Sequence, residues 1–251
     1  MVLLHVVDLD PSLTALHRLG GFFVLRTAGT AGRSLPTLAQ AYGPRPLDVR
    51  GDFLTSRVRR VAGALGAPEA RVAASVAQQG LAARLWSVAL GSAVLYGAVP
   101  DLAPPLLRWD PEGSAPDDLW LTEVRPLPGD AATIAELVLH GHLELLAAAL
   151  RSRHRLAPGL LRGNAASALA GAARELDHWG RSHDRTDVAA RAASLTAEIL
   201  AHPLLTGAGD LAGTVFRRRS CCLYYRVPGG GVCGDCCFAR PPRSSPRAPS
   251  G

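Results

Sequence analysis

Five cysteines, Cys221, Cys222, Cys233, Cys236 and Cys237, fall within 17 residues of a 251-residue chain whose first 220 residues hold none. Such crowding needs a local cause. An adjacent pair, Cys221-Cys222, is followed after ten residues by Cys233-Gly234-Asp235-Cys236 and then by Cys237. A C-x₂-C step carries two thiolates round one turn onto a common metal, and Gly234 is expected to relieve the backbone there. The intervening Pro228 and Gly229-Gly230-Gly231 let the chain fold back and bring the two pairs alongside.

Three chemistries compete for such a set. Disulfides require an oxidising compartment, and an odd count leaves one thiol over. Four thiolates suit tetrahedral zinc, although an adjacent Cys-Cys pair is awkward for a zinc knuckle. In an iron–sulfur cluster the four thiolates serve more than one iron, so the ligands need only approach in pairs over a wider footprint.

At these residues the chain resembles a known family. Arg218-Arg219-Ser220-Cys221-Cys222-Leu223-Tyr224-Tyr225-Arg226-Val227-Pro228, followed by Cys233-Gly234-Asp235-Cys236, is similar to the C-C-x₁₀-C-x₂-C signature of FhuF-type ferric-siderophore reductases. The resemblance implies a [2Fe–2S] cluster held by Cys221, Cys222, Cys233 and Cys236. It implies a cytoplasmic enzyme that reduces the Fe(III) of an imported siderophore, charged by a ferredoxin- or flavin-type donor. Cys237 is a departure from the pattern, an additional thiol that competes with Cys236 for the fourth place; Cys236 keeps the x₂ spacing. Outside the motif, Gly163-Asn164 and Leu85-Trp86 look similar to family positions. The body also resembles the helical C-terminal part of siderophore synthetases.

On this reading the reaction needs no general acid, base or nucleophile. Arg217, Arg218 and Arg219 are expected to stabilise the negative charge of a reduced cluster, or to form a solvated or docking patch. The amides of Gly229 to Gly231 and of Gly234 are candidate donors to cluster sulfur, and Asp235 would lower the potential. Trp86, Trp109, Trp120 and Trp179, with Asn164, are candidates for a siderophore pocket, set against ordinary core or capping roles.

The elements that must position this segment are mostly helical. Val2 to Val7 and Gly21 to Thr27 read as short strands, Gly29 to Pro46 as loop apart from a turn of helix near Leu38, and Leu119 to Val124 as a strand. Asp48 to Val99 has a helical pattern broken near Gly66–Pro68, with Val72, Val76, Leu81, Leu85, Val88 and Leu95 as its apolar positions. After a Pro-rich loop from Pro100 to Asp118 come three helices, near Ala131–His154, Leu160–Trp179 and Asp187–Leu204. The first should bury Ile134, Leu137, Val138, Leu145 and Leu146. The fold class is therefore α+β, mainly α: a helical body over residues 1–215 with a small β component. A C-terminal iron–sulfur-binding segment over 216–240 and a disordered tail over 241–251 complete the expected organisation.

Composition excludes other classes. All 27 positive side chains are arginine, against 21 acids, a bias that reads as base composition of the coding sequence and weakens the net charge of +6 as a nucleic-acid signal. The uncharged run from Leu85 to Pro100 falls short of the roughly 18 residues that a spanning helix needs, so no membrane span is expected. Met1 to Ser12 lacks a basic n-region and points to an intracellular protein. A second metal site is weighed at Glu136, His140 and Glu144, four apart with His142 nearby, but no matching Glu-x-x-His helix accompanies it. Asp177-His178 and His183-Asp184 read as a capped, exposed helix end. The alternative function is a binding or sensor protein with structural zinc or a regulatory cluster. A sensor would be expected to carry a DNA-reading helix, whereas only a tail follows these cysteines.

Overall fold

The computed structural model describes residues 13–27, 34–44 and 52–242. The expected strand Val2–Val7 and most of the expected disordered tail lie outside these residues. Within them the fold is α+β and mainly α, organised round one pair of long helices.

Helix α1 (Leu38–Tyr42) opens with a capping box between Thr37 and Gln40. Helix α2 (Phe53–Leu65) is capped by the Asp52 carboxylate, which accepts from the Thr55 amide at 3.1 Å, and stops at left-handed Gly66. That stop is the break expected near Gly66–Pro68. Helix α3 (Ala70–Tyr96) is the core helix, buried on nearly all sides, and ends at Gly97 with φ 73°. Its apolar run is therefore explained by burial within the protein. Helix α5 (Pro158–Ser182) packs along α3, and both helices bury many small side chains, among them Ala73, Ala82 and Ala89 of α3 and Ala165, Ala166 and Ala172 of α5. Trp86 locks the pair, its Nε1–H donating to the Ala165 carbonyl at 3.1 Å. Helix α6 (Thr186–Leu200) then packs on α5.

Helix α4 (Ala131–Arg153) differs from its expected form. Its middle, Glu136–Leu143, is π-helical, with α-helix on either side at Ala131–Ala135 and Glu144–Arg153. The wider turn takes up an extra residue and shifts the phase of the helix, so Leu146 is buried while Leu145, expected inside, is exposed. By length and composition α4 is apolar enough to cross a membrane, but half of its apolar window is buried in the fold.

The β component is three small sheets. Strands β1 (Arg26–Thr27), β4 (Leu119–Leu121) and β3 (Leu107–Trp109) form one, with β1 parallel to β4 and β3 antiparallel to it. Strands β2 (Ala98–Pro100) and β5 (Pro126–Pro128) form an antiparallel pair. A hairpin of β6 (Gly209–Ala212) and β7 (Val215–Arg218), turning at left-handed Gly213, leads into the cysteines.

Two local expectations need correction. Only Arg26–Thr27 of the Gly21–Thr27 stretch is strand; Gly21–Phe23 is a 3₁₀ turn that drives Phe23 into the core against Gly91, where a Cβ would stand 2.8 Å from the Phe23 ring. The loop expected from Pro100 to Asp118 contains β3, held to β4 by backbone pairing that its Pro-rich flanks conceal.

Candidate metal centre

The cysteine segment is laid into the groove between α3 and α5 by polar contacts on both sides. Ser75 of α3 donates from Oγ to the Cys222 carbonyl at 2.7 Å. Ser220 donates to the Gly159 carbonyl of α5 at 2.8 Å. The Arg218 amide donates to the Asp235 carbonyl at 3.0 Å, which clamps the C-x₂-C turn back onto β7. Arg226 pairs with Glu69, the residue before α3, at 2.7 Å.

Backbone geometry near the sulfurs is unusual. Leu223 has φ 69°, a left-handed conformation uncommon for a branched side chain and costing of order 1–3 kcal/mol. In that conformation its N–H donates to Cys221 Sγ at 3.3 Å. The Phe238 N–H donates likewise to Cys236 Sγ at 3.4 Å. Of the expected glycine donors, Gly230 takes another role: its amide is committed to the Val227 carbonyl at 2.8 Å, and a Cβ there would lie 2.9 Å from two carbonyl oxygens. Gly229, at φ 70°, completes that turn. Gly234 is outside the left-handed region and faces open space, so relief of the backbone is not its reason for being glycine.

The thiols act on one another in pairs. Cys222 is buried, and its thiol is pulled down to about 6 chiefly because the Cys233 S–H donates to it; the Tyr224 amide and the Arg218 charge add to this, against burial. Cys233 is pushed up for the reciprocal reason, then by burial. Burial raises Cys221 and Cys237, and Cys237 also lies against Cys236. Among the described residues no three His, Cys, Asp or Glu side chains gather round a single point as one metal ion requires.

Beside the pair lies Arg218, 2% exposed. Its Nη1 donates to Asn164 Oδ1 at 2.6 Å, and Asn164 Nδ2 donates to the Ser75 carbonyl and Oγ, each at 3.0 Å. Nε and Nη2 of Arg218 have no partner among the described residues. Buried donors left over on a cation require an acceptor, best an anion. A thiolate-ligated cluster supplies both sulfur acceptors and negative charge, so the residues present fit that group.

A cleft of about 380 Å³ opens against the same segment. Cys233, Gly234 and Asp235 form one wall, α3 and α5 contribute Ser87, Ser167 and Arg174, and the Gly20–Phe23 turn faces them. Arg84 of α3 pins that turn through the carbonyls of Gly21, Phe22 and Val24 while its Nε pairs with Asp118 at 3.0 Å. Asp235 is held by Ser167 Oγ at 2.6 Å and Arg174 at 3.3 Å.

Residues 218–238 match the family model described as FhuF 2Fe-2S C-terminal domain. This is an FhuF-type cluster-binding segment. Its cofactor is a [2Fe–2S] cluster. The FhuF match covers all five cysteines together with Arg218, Arg226 and Asp235. A comparison with curated proteins returns no match.

Around the FhuF segment, other expected residues sort themselves by burial. Alternation along β7 leaves Arg217 exposed and turns Arg218 inward, and beyond it Arg219 is exposed and pairs with Asp210 at 2.7 Å. Asn164 is neither cap nor pocket lining but the link from α3 to Arg218. None of the four tryptophans lines the cleft: Trp86 and Trp109 are core, Trp120 lies under Arg26, and Trp179 stacks on His183 with ring centroids 4.4 Å apart. Phe22 and Arg174 do line it, and neither stood out in the sequence. The signal for Phe22 is the preceding Gly20-Gly21, whose first glycine has φ 116° and aims the turn. Glu136, His140 and Glu144 are exposed, with His140 Nδ1 2.5 Å from Glu144, while His142 turns inward to Tyr42 and the Leu102 carbonyl. At the helix end His178, His183 and Asp184 are exposed, and half-buried Asp177 pairs with Arg181 at 2.9 Å.

Proposed function

We propose that the protein is a ferric-siderophore reductase in which Cys221, Cys222, Cys233 and Cys236 hold the cluster and the Cys233-side cleft admits the ferric chelate. Bound by these thiolates, a [2Fe–2S] cluster supplies one electron to the siderophore's Fe(III), which is released as Fe(II) because the chelate favours the ferric state. The observation that carries this reading is the shared wall: Cys233, Gly234 and Asp235 belong both to the thiol set and to the lining of the 380 Å³ cleft. Cys236 is preferred over Cys237 because the Phe238 amide already donates to its sulfur, as Leu223 does to Cys221.

The chain's own residues then hold and shape the site. Arg84 fixes the Gly20–Phe23 turn as the far wall. Ser167 and Arg174 neutralise and orient Asp235, so the carboxylate does not stand free beside the cluster site. Arg174 and the hydroxyl of Ser87, both in the cleft lining, offer donors to the oxygen ligands of a chelate. In this reading residues 1–215 are the body, 216–240 the cluster-binding segment, and the protein works in the cytoplasm, where a ferredoxin- or flavin-type donor charges it.

The test is anaerobic purification followed by visible and EPR spectroscopy, then mixing of the reduced protein with ferric siderophores and an Fe(II) chelator. Charge-transfer bands, an S = ½ signal on reduction and capture of Fe(II) are expected. A protein carrying stoichiometric zinc and no iron would overturn this reading in favour of a structural or sensor role.

A further inference from the structure

Arg218 is the one member of the Arg217-Arg218-Arg219 run that is buried, and its surroundings do not satisfy it. Among the described residues only Nη1 has a hydrogen-bond partner, Asn164. The nearby carboxylates are already engaged: Asp235 by Ser167 and Arg174, Asp210 by Arg219, and Glu69 by Arg226 and Arg71. Leaving a buried donor unpaired costs roughly 1–3 kcal/mol, and an unpaired buried cation costs more. The Arg218 amide is tied to the Asp235 carbonyl inside the Cys233–Cys236 turn, and its Nη1 is tied through Asn164 and Ser75 to the Cys222 carbonyl, so the guanidinium is held within the cysteine segment.

We propose that Arg218 is a redox-tuning contact: its free Nε–H and Nη2–H donate to cluster sulfur on the Cys222–Cys233 side and favour the reduced state. Four thiolates and two sulfides on two ferric ions carry a net charge of about −2, which one added electron makes about −3. A fixed cation with two N–H···S bonds stabilises the second state more than the first, and burial keeps solvent from screening it. Asn164 is the positioning residue. It grips Nη1 and is itself fixed by Ser75, which also holds the Cys222 carbonyl, so a single buried chain both seats the cysteine loop and aims the guanidinium. The inference rests on the ligand assignment above and not on the identity of the substrate.

The experiment is a dye-mediated anaerobic titration of cluster-loaded wild type, Arg218→Met, Arg218→Lys and Asn164→Ala, without siderophore. Arg218→Met should lower the reduction equilibrium constant about tenfold, a midpoint drop of about 59 mV for one electron. Arg218→Lys, which keeps the charge but loses the fork, should fall between, and Asn164→Ala should fall about threefold. Resonance Raman in D₂O should show Fe–S stretching shifts from N–H···S bonds in the wild type that diminish in Arg218→Met. Loaded Arg218→Met with a wild-type potential and an undiminished D₂O shift overturns the proposal. Should Arg218→Met fail to fold or load, Asn164→Ala decides, and an unchanged potential there overturns it. Siderophore reduction is scored separately: a loaded wild type that leaves ferric siderophores untouched sinks the proposed function without altering the Arg218 result.

Discussion

Gly163 of α5 lies directly beneath Ser220, the residue before the first cysteine: a Cβ at position 163 would overlap the Ser220 hydroxyl. Glycine in a helix interior costs up to about 1 kcal/mol relative to alanine, so this position gives up helix stability for a close approach of chains. The space left by the missing Cβ is taken by the Ser220 hydroxyl, which donates from there to the Gly159 carbonyl at 2.8 Å.

Gly163→Ala should therefore displace Ser220 and Cys221, lowering stability by about 1–3 kcal/mol from overpacking and reducing iron per chain. Gly63→Ala, on the exposed side of α2 with nothing within 4 Å of its Cβ, should instead stabilise by about 0.5–1 kcal/mol. Urea unfolding and iron analysis of both variants test the contrast. Equal behaviour would refute the close-approach account.

Serine substitution of Cys221, Cys222, Cys233 or Cys236 should each abolish the visible charge-transfer bands and the bound iron and sulfide. Cys237→Ser should keep both near wild-type stoichiometry, because the amide of Phe238 supports Cys236. Loss of the cluster in Cys237→Ser but not in Cys236→Ser would reverse the assignment of the fourth ligand.

The cleft can be filled without touching the thiols. Gly171 lines it from α5 and is half-buried. Gly171→Phe should raise KM for ferric siderophores at least tenfold, with the midpoint potential and the reduction of a small oxidant such as ferricyanide unchanged. Unaltered siderophore kinetics would place the chelate elsewhere.

Asp118 joins two guanidiniums, Arg84 at 3.0 Å and Arg57 at 3.4 Å, and all three are largely shielded from water. Asp118→Ala strands both cations and should destabilise by about 3–5 kcal/mol, with little dependence on salt. Because Arg84 also pins the cleft turn, siderophore KM should rise in the same variant. Chemical denaturation at low and high salt is the check.

Stability should fall in weak acid through His142. Burial holds its imidazole down at about 4, against 6.5 when free, while the Leu102 carbonyl opposes this by accepting from Nε2 at 2.5 Å. Nε2 must therefore carry the proton, and Nδ1 accepts from the Tyr42 hydroxyl at 2.8 Å. Between these two values only the unfolded chain takes up the proton. The contribution is thus complete above pH 6.5 and is lost as pH falls towards 4, about 3 kcal/mol in all. His142→Gln should flatten this part of the pH–stability curve measured by urea unfolding; an unchanged slope would dismiss His142 as its source.

The sequence alone determined the kind of chemistry here, because metal–thiolate chemistry needs only residue type and chain spacing. Cys221-Cys222 and Cys233-x₂-Cys236 are joined by a ten-residue linker whose Pro228 and Gly229-Gly230-Gly231 are local signals for a chain that folds back on itself. It also determined the long helices, whose apolar periodicity and stops at Gly66 and near Pro203 are local signals. The tertiary structure alone decided which arginine matters: three identical neighbours differ only in the face of β7 from which each projects and in what α3 and α5 place there. The same holds for Asn164, whose partners are 89 and 54 residues away. The phase shift in α4 that exposes Leu145 and buries His142 likewise escapes any fixed 3.6-residue period. The cleft is assembled from the Gly20–Phe23 turn, two helices and the cysteine loop, segments up to about 200 residues apart in the chain that only the packing of α5 along α3 brings together.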